Sequence, residues 1–420
     1  MTRLCILAAL LWAATGTAVV RAGGLDLPTV YGARYGATGG ASSAHVDDAS
    51  AILHNPAGLA HLPGGLTATN SLSLFLVNLQ TSPDFTNQNL STGVKVGPTL
   101  LGSAGFRVHD RVVVGIGMYP VGAAGGEFSY RSMRGTEQVD WVNEQMALAF
   151  EVSPGVGVEL TDGLRVGLGY RVTALLFERV MGAEADPVDV NIDLFGMNFA
   201  GLRLGAQWQP IDALELGVTY RHKVTVDASA DSGTLLGADL VNIDSSMVVP
   251  SKLTLGALVH VGKWQLLGEL DYIANSQFDS IPISGDLPDQ DGDVDVEFRF
   301  DWTDSYTAKL GLAYEVLPGW TLRQGYALDS TPSNPAFPTT FGSPPADSHW
   351  LTLGGGYQAA HWRLDVALMH KLPTSHDLRE GRIEADCRFC ASGGRYRSEM
   401  SAIMIDFTHH LGFGEGTLRR

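Results

Sequence analysis

The chain has 420 residues, of which 45% are apolar and only 17% charged, with 50 glycines and 19 prolines. Soluble proteins carry about 25% charged residues, so this composition is too hydrophobic for disorder and too glycine-rich for a bundle of membrane helices. The formal charge of −17 argues against nucleic acid, where basic patches supply the affinity.

Arg3, the apolar run Leu4 to Val20 and the small-residue ending Val20-Arg21-Ala22 read as a cleaved signal peptide over 1–22. The run is shorter than the about 20 residues of a membrane-spanning helix. Cys5 leaves with it. Residues 23–65 are rich in Gly, Ala and Ser, show no strand alternation and close on Asn55-Pro56-Ala57-Gly58. Asp47 or Asp48 is placed to cap one or two helical turns there. This stretch reads as a small compact plug.

From Leu66 onward the period is two. Leu164, Val166, Leu168, Tyr170 and Val172 alternate with Arg165, Gly167, Gly169, Arg171 and Thr173; Trp362, Leu364, Val366 and Leu368 alternate with Arg363 and Asp365. Strand side chains point to opposite faces, so each segment has one apolar face and one polar, partly glycine face. A soluble sandwich alternates too. Three features favour a transmembrane antiparallel β-barrel over 66–414 instead. The strands are long; Trp208, Trp264, Trp320 and Trp362 sit beside turns, as in an interfacial girdle; and short turns alternate with long loops at 80–97, 122–143, 181–191, 229–246, 277–301, 331–346 and 372–398. The count is about fourteen strands, all-β, with the plug in the lumen and a short extension at 415–420. Because lipid satisfies no backbone polar group, the last strand must pair with the one starting near Leu66.

Enzyme signatures are missing: there is no G-x-S-x-G, H-E-x-x-H or P-loop pattern. A histidine beside a serine at the outer rim leaves an outer-membrane hydrolase as a reading from a different class; a purely structural barrel is another. Cys387 and Cys390 suit a disulfide-closed loop tip. Asp289, Asp291, Asp293 and Asp295 crowd one outer loop and are a weak calcium candidate, although Leu287 and Phe298 stand where an EF-hand needs its first and last ligands. Arg165, Arg171, Arg203 and Lys309 face the lumen and are placed to meet a ligand carboxylate, or to be balanced by Glu215, Glu269, Asp271 and Asp365. In the third strand, Val112 to Tyr119 gives way to Pro120, Gly122, Ala123, Gly125 and Gly126. Proline cannot donate to a ladder, so the sheet is expected to be interrupted here and the wall to have a break.

Gly36-Ala37-Thr38-Gly39-Gly40-Ala41, then Asp47-Asp48-Ala49-Ser50, then Asn55-Pro56-Ala57-Gly58, ahead of about fourteen strands, resembles the FadL-type long-chain fatty acid transporters of Gram-negative outer membranes and their relatives that take up aromatic hydrocarbons. The resemblance implies a monomeric outer-membrane channel without cofactor. Its hatch, 23–65, would gate through Asn55, Pro56, Ala57 and Gly58, and a kinked third strand would open a side passage at about Pro120 to Gly126. The implied partners are a long-chain fatty acid or another hydrophobic small molecule, outer-membrane lipid and lipopolysaccharide. The family ends on an aromatic residue that assists insertion, whereas here Phe413 is followed by Gly414 to Arg420.

Overall fold

The computed structural model describes residues 32–83, 88–134, 136–183, 186–288, 292–339, 346–378, 383 and 393–412. The expected signal peptide over 1–22, residues 23–31, Asp289, Asp291, Cys387, Cys390, Phe413 and the expected extension at 415–420 lie outside these residues.

Nineteen strands form a single sheet: β1 (Leu66–Pro83), β2 (Leu90–Ser91), β3 (Lys95–His109), β4 (Val112–Arg134), β5 (Glu137–Thr161), β6 (Leu164–Ala183), β7 (Asp186–Ile211), β8 (Leu214–Arg221), β9 (Val224–Leu235), β10 (Ala238–Val249), β11 (Lys252–Val261), β12 (Trp264–Ile273), β13 (Ser280–Asp286), β14 (Asp293–Arg299), β15 (Ser305–Leu317), β16 (Trp320–Asp329), β17 (Ser348–Gln358), β18 (Trp362–Leu378) and β19 (Gly394–Leu411). Fourteen of them make the wall, in the order β1, β3 to β8, β11, β12 and β15 to β19. The wall closes where β1 runs antiparallel to β19, from Leu66 opposite Leu411 to Pro83 opposite Gly394.

Burial along the wall is the inverse of a soluble protein. On β18, Leu368 is 53% exposed while Asp365 is 1% exposed, and the alternation holds from Trp362 to Lys371. Leucines exposed to water at this density would be unstable; facing lipid they are at home. Trp208, Trp264, Trp320 and Trp362 are all exposed near the short turns, where Trp264 packs on Tyr314 and Trp320 on Tyr357. Tyr272 and Tyr306 form a pair at the other end of their strands. Trp264 and Tyr272 stand eight residues apart on β12, about 26 Å along a strand, which suits a tilted crossing of one bilayer.

The outer connections differ from the sequence expectation. Four of the expected long loops are largely strand. β4 and β5 pair from Val112 opposite Val158 to Arg134 opposite Glu137, and β6 and β7 pair out to Ala183 opposite Asp186. β9 and β10 form a hairpin on Leu236-Gly237 that pairs back on the outer part of β7, and β13 and β14 form another. Ladder bonding satisfies backbone groups whatever the side chains are, so polar segments extend the wall beyond the lipid.

The hatch fills the lower lumen. It carries single helical turns at Ala33–Gly36 and Ala51–His54 and a 3₁₀ helix at Pro56–His61. Asn55 caps the last of these, its Oδ1 accepting from Ala57 N at 3.2 Å. Pro56 then occupies the first helical position, where a missing N–H costs nothing.

Candidate functional site

The hatch is held by polar bonds to the wall. Asn55, fully buried, donates from Nδ2 to Ser43 O at 2.8 Å, Ala206 O at 3.1 Å and Val218 O at 3.3 Å. Ala206 and Val218 are directly opposed in the β7–β8 ladder, so one amide ties the hatch to two wall strands. Arg363 on β18 reaches Asp47 at 3.1 Å, Asp48 at 2.5 Å and Asp365 at 3.0 Å. Arg34 pairs with Asp47 within the hatch. The Ser42 and Ser43 amides donate to Glu269 Oε2 at 2.9 and 2.7 Å. Burial opposes the Asp47 charge, but the guanidinium groups of Arg34 and Arg363 hold its carboxyl well below the usual range. Burial lowers His45 too, yet its hydrogen bonds to Asp47 and Glu215 raise it to about 9. Burial, then the nearby His45 and Arg165, lowers His61 to about 3.

Close approach of hatch to wall requires glycine. A methyl group on Gly167 would overlap the Pro56 carbonyl carbon, and one on Gly205 would overlap Asn55 Oδ1. The glycines on the polar face of the strands are therefore the shelf on which Asn55 and Pro56 rest. Ala57 N lies in the same contact, whereas Gly58 is buried within the hatch against Val46 and Ala51.

Above the hatch the lumen changes character. Glu151, Arg171, Arg203 and Tyr119 form a waist: Arg171 Nε donates to Glu151 Oε1 at 2.8 Å, and Arg203 to Tyr119 Oη at 2.5 Å and to Ile52 O at 3.2 Å. Beyond it the inner face is apolar. Ala149, Leu175, Phe177, Ile192, Leu194 and Val226 belong to one buried cluster, and Phe75, Val77, Trp350, Met369, Met400 and Met404 to another.

Two features of this upper chamber stand out. Lys371, buried among the apolar side chains, donates to Ser398 Oγ at 2.7 Å and lies 5.9 Å from the centre of the Trp350 ring. No carboxylate lies within salt-bridge distance of it among the described residues. Trp350 faces Lys371 across the β17–β18 ladder, and its buried Nε1 has no hydrogen-bond partner. The sequence reading passed over both; the signal available was a lysine in register with Ala367 and Met369 on the inward face.

The second feature is the seam between β3 and β4. Their ladder runs from His109 opposite Val112 and ends at Gly102 opposite Met118. β3 nevertheless continues pairing with β1 as far as Lys95, and β4 with β5 as far as Arg134, with a bulge at Val121. From Val121 to Gly126 the strand is buried at every residue rather than at alternate ones, so it has left the wall plane and turned inward. The expectation of an interrupted strand is thus met differently: the strand is continuous, and only its pairing toward β3 is lost. Pro120 lacks the N–H that pairing needs. Pro120, Gly122, Ala123, Gly125 and Gly126 all lie on this inturned segment.

The four basic residues singled out from the sequence carry partners inside the protein. Arg165 bonds Glu159 at 3.1 Å, Arg171 and Arg203 converge on Glu151, and Lys309 bonds Glu269 at 2.7 Å and Asp271 at 2.8 Å. Asp293 and Asp295 are exposed on β14.

A fourteen-stranded barrel with an apolar outer face, a polar-bonded hatch and an apolar upper chamber defines a hatch-plugged outer-membrane channel. Residues 181–412 match the family described as "Outer membrane protein transport protein (OMPP1/FadL/TodX)", and the chain belongs to that family. It is 22% identical over 433 residues to an outer-membrane protein of Neisseria meningitidis serogroup B, covering 89% of this chain and 91% of that one. It is 28% identical over 160 residues to the long-chain fatty acid transport protein of Escherichia coli O6:H1, covering 34% of each. Among solved structures it is similar to a Pseudomonas aeruginosa FadL homologue (TM-score 0.70, 15% identity, 92% of this chain and 99% of that one). It is likewise similar to the Pseudomonas putida toluene transporter TodX (TM-score 0.69, 18% identity, 92% and 100%). Members of the family are transport proteins rather than enzymes, and this chain is an outer-membrane channel for hydrophobic compounds.

Proposed function

We propose that the channel takes up long-chain fatty acids passively, passing them from the upper chamber through the β3–β4 seam into the outer membrane, with the hatch gating the lower lumen. The end of the β3–β4 ladder at Met118, while both strands keep their other partners, carries the lateral route. Apolar burial is worth about 0.8 kcal/mol per CH₂, so a long acyl chain gains by never entering an aqueous lumen. The sideways exit delivers it to lipid, whereas the polar hatch network opposes its passage downward. Lys371 and the unpartnered Trp350 N–H favour a cargo with a carboxylate over an aromatic hydrocarbon, since a buried donor left unmet costs about 1–3 kcal/mol.

The test fills the seam. Gly122→Trp with Ala123→Trp is expected to reduce uptake of labelled oleate to background, in cells lacking their own transporter, at unchanged surface level. Full uptake by that variant would remove the lateral exit.

A further inference from the structure

We infer that the hatch is clamped to the barrel wall by a zinc-like divalent cation bound between His45 and His61 of the hatch and Glu215 of β8. One ligand atom from each of these three side chains lies within 4.8 Å of the others. A zinc ion with bonds of about 2.0–2.1 Å holds tetrahedral ligands roughly 3.4 Å apart, so side-chain adjustments of about 1 Å seat the ion.

The surroundings are those of a ligand set. Glu215 Oε2 is 2.7 Å from His45 Nδ1, and its other oxygen, Oε1, is held by His260 Nε2 of β11 at 2.8 Å. His45 Nε2 stands 3.6 Å from Asp47 Oδ2, and a carboxylate behind a ligating imidazole is the usual outer partner in such sites. The His45 and His61 rings are 4.9 Å apart. An ion pair between His45 and Glu215 explains neither this approach nor the His61 Nε2 atom, which is buried without a hydrogen-bond partner. Arg165, the cation near His61, is already bonded to Glu159.

Two imidazoles and one carboxylate suit zinc better than calcium or magnesium, which prefer all-oxygen shells. His45 and His260 keep part of their surface exposed, and Glu215 is one residue into β8 beyond a short turn, so the ion enters from the short-turn end. It takes the place of the proton that His45 shares with Glu215. The bond joins two points of the hatch, one on either side of Asn55, to the wall. This clamp is independent of which cargo the channel carries.

The experiment strips the purified full-length protein with a chelator, dialyses it against Zn²⁺ and measures bound metal by elemental analysis. Co²⁺ in place of Zn²⁺ reports geometry through its visible spectrum. The expected result is one zinc per chain, a tetrahedral Co²⁺ spectrum and at least a tenfold fall in metal content in His61→Ala. His109→Ala, at an exposed turn, keeps full content. Heat-modifiable migration checks that each barrel is folded; should His61→Ala fail it, Glu215→Gln is read in its place. Zinc content equal in wild type and variant, or a Co²⁺ spectrum indistinguishable from the free ion, overturns the clamp.

Discussion

Along β18 the inward side chains change from Arg363 and Asp365 near the short turn to Ala367 and Met369 further out, and β19 changes in the same direction from Asp406 to Met404, Ala402 and Met400. The same strands thus line two chambers of opposite chemistry. In the lower one, charges and backbone groups of hatch and wall satisfy one another. Such bonds are worth about 0.5–1.5 kcal/mol net each, and about 1.5–3 kcal/mol where a charge takes part, because water competes for both partners. The hatch is therefore held by many modest bonds rather than by one strong one. In the upper part the inward side chains pack into two apolar clusters that offer water little to bond.

That division can be broken at three points, in order of expected effect. Gly167→Val places side-chain atoms where the Pro56 backbone lies. The neighbour is backbone and cannot swing aside, so the loss should reach or exceed the about 1–3 kcal/mol of core overpacking. The hatch should fail to seat, and conductance of hydrophilic ions in planar bilayers should rise from near zero to pore-like values. Wild-type conductance would show that the glycine shelf does not seat the hatch. Lys371→Met probes the other chamber. Removing this buried ammonium should lower oleate uptake about tenfold at limiting concentration, about 1.4 kcal/mol and near the low end of the ~1.5–3 kcal/mol of a charged hydrogen bond, while leaving uptake of a monoaromatic hydrocarbon unchanged. Equal losses for both cargoes would move Lys371 from recognition to folding. Asn55→Ala removes three donated bonds and a cap but leaves the arginine–aspartate network. Hydrogen exchange of hatch amides should quicken about fivefold, the equivalent of about 1 kcal/mol, with barrel amides unchanged. Uniform quickening across the barrel would mean that the hatch and wall unfold as one unit.

Much of the architecture was legible beforehand because a membrane barrel writes itself into sequence at short range. Period-two faces, tryptophans beside turns and Asn55-Pro56-Ala57-Gly58 ahead of the first strand are local patterns. The lengths of the outer strands were not legible, since polar segments such as 229–246 and 277–301 carry no apolar alternation and pair only because the strands beneath them do. The site was partly legible. Pro120 and its glycines marked the third wall strand as irregular, but they did not reveal that the pairing with β3 would fail while that with β5 held. Among the inward basic residues, nothing in the sequence separates Arg171, matched by Glu151, from Lys371, which has no carboxylate within salt-bridge distance among the described residues.

The sequence by itself determined the barrel, its facing toward lipid and the existence of a small plug, because each follows from side-chain alternation and backbone bonding within a few residues. Only the tertiary structure decided which charges neutralise one another, which glycines carry the hatch, where the β3–β4 pairing ends and where His45, His61 and Glu215 meet. Arg363 and Asp47 stand 316 residues apart in the chain, and closure of the sheet is what brings such groups face to face.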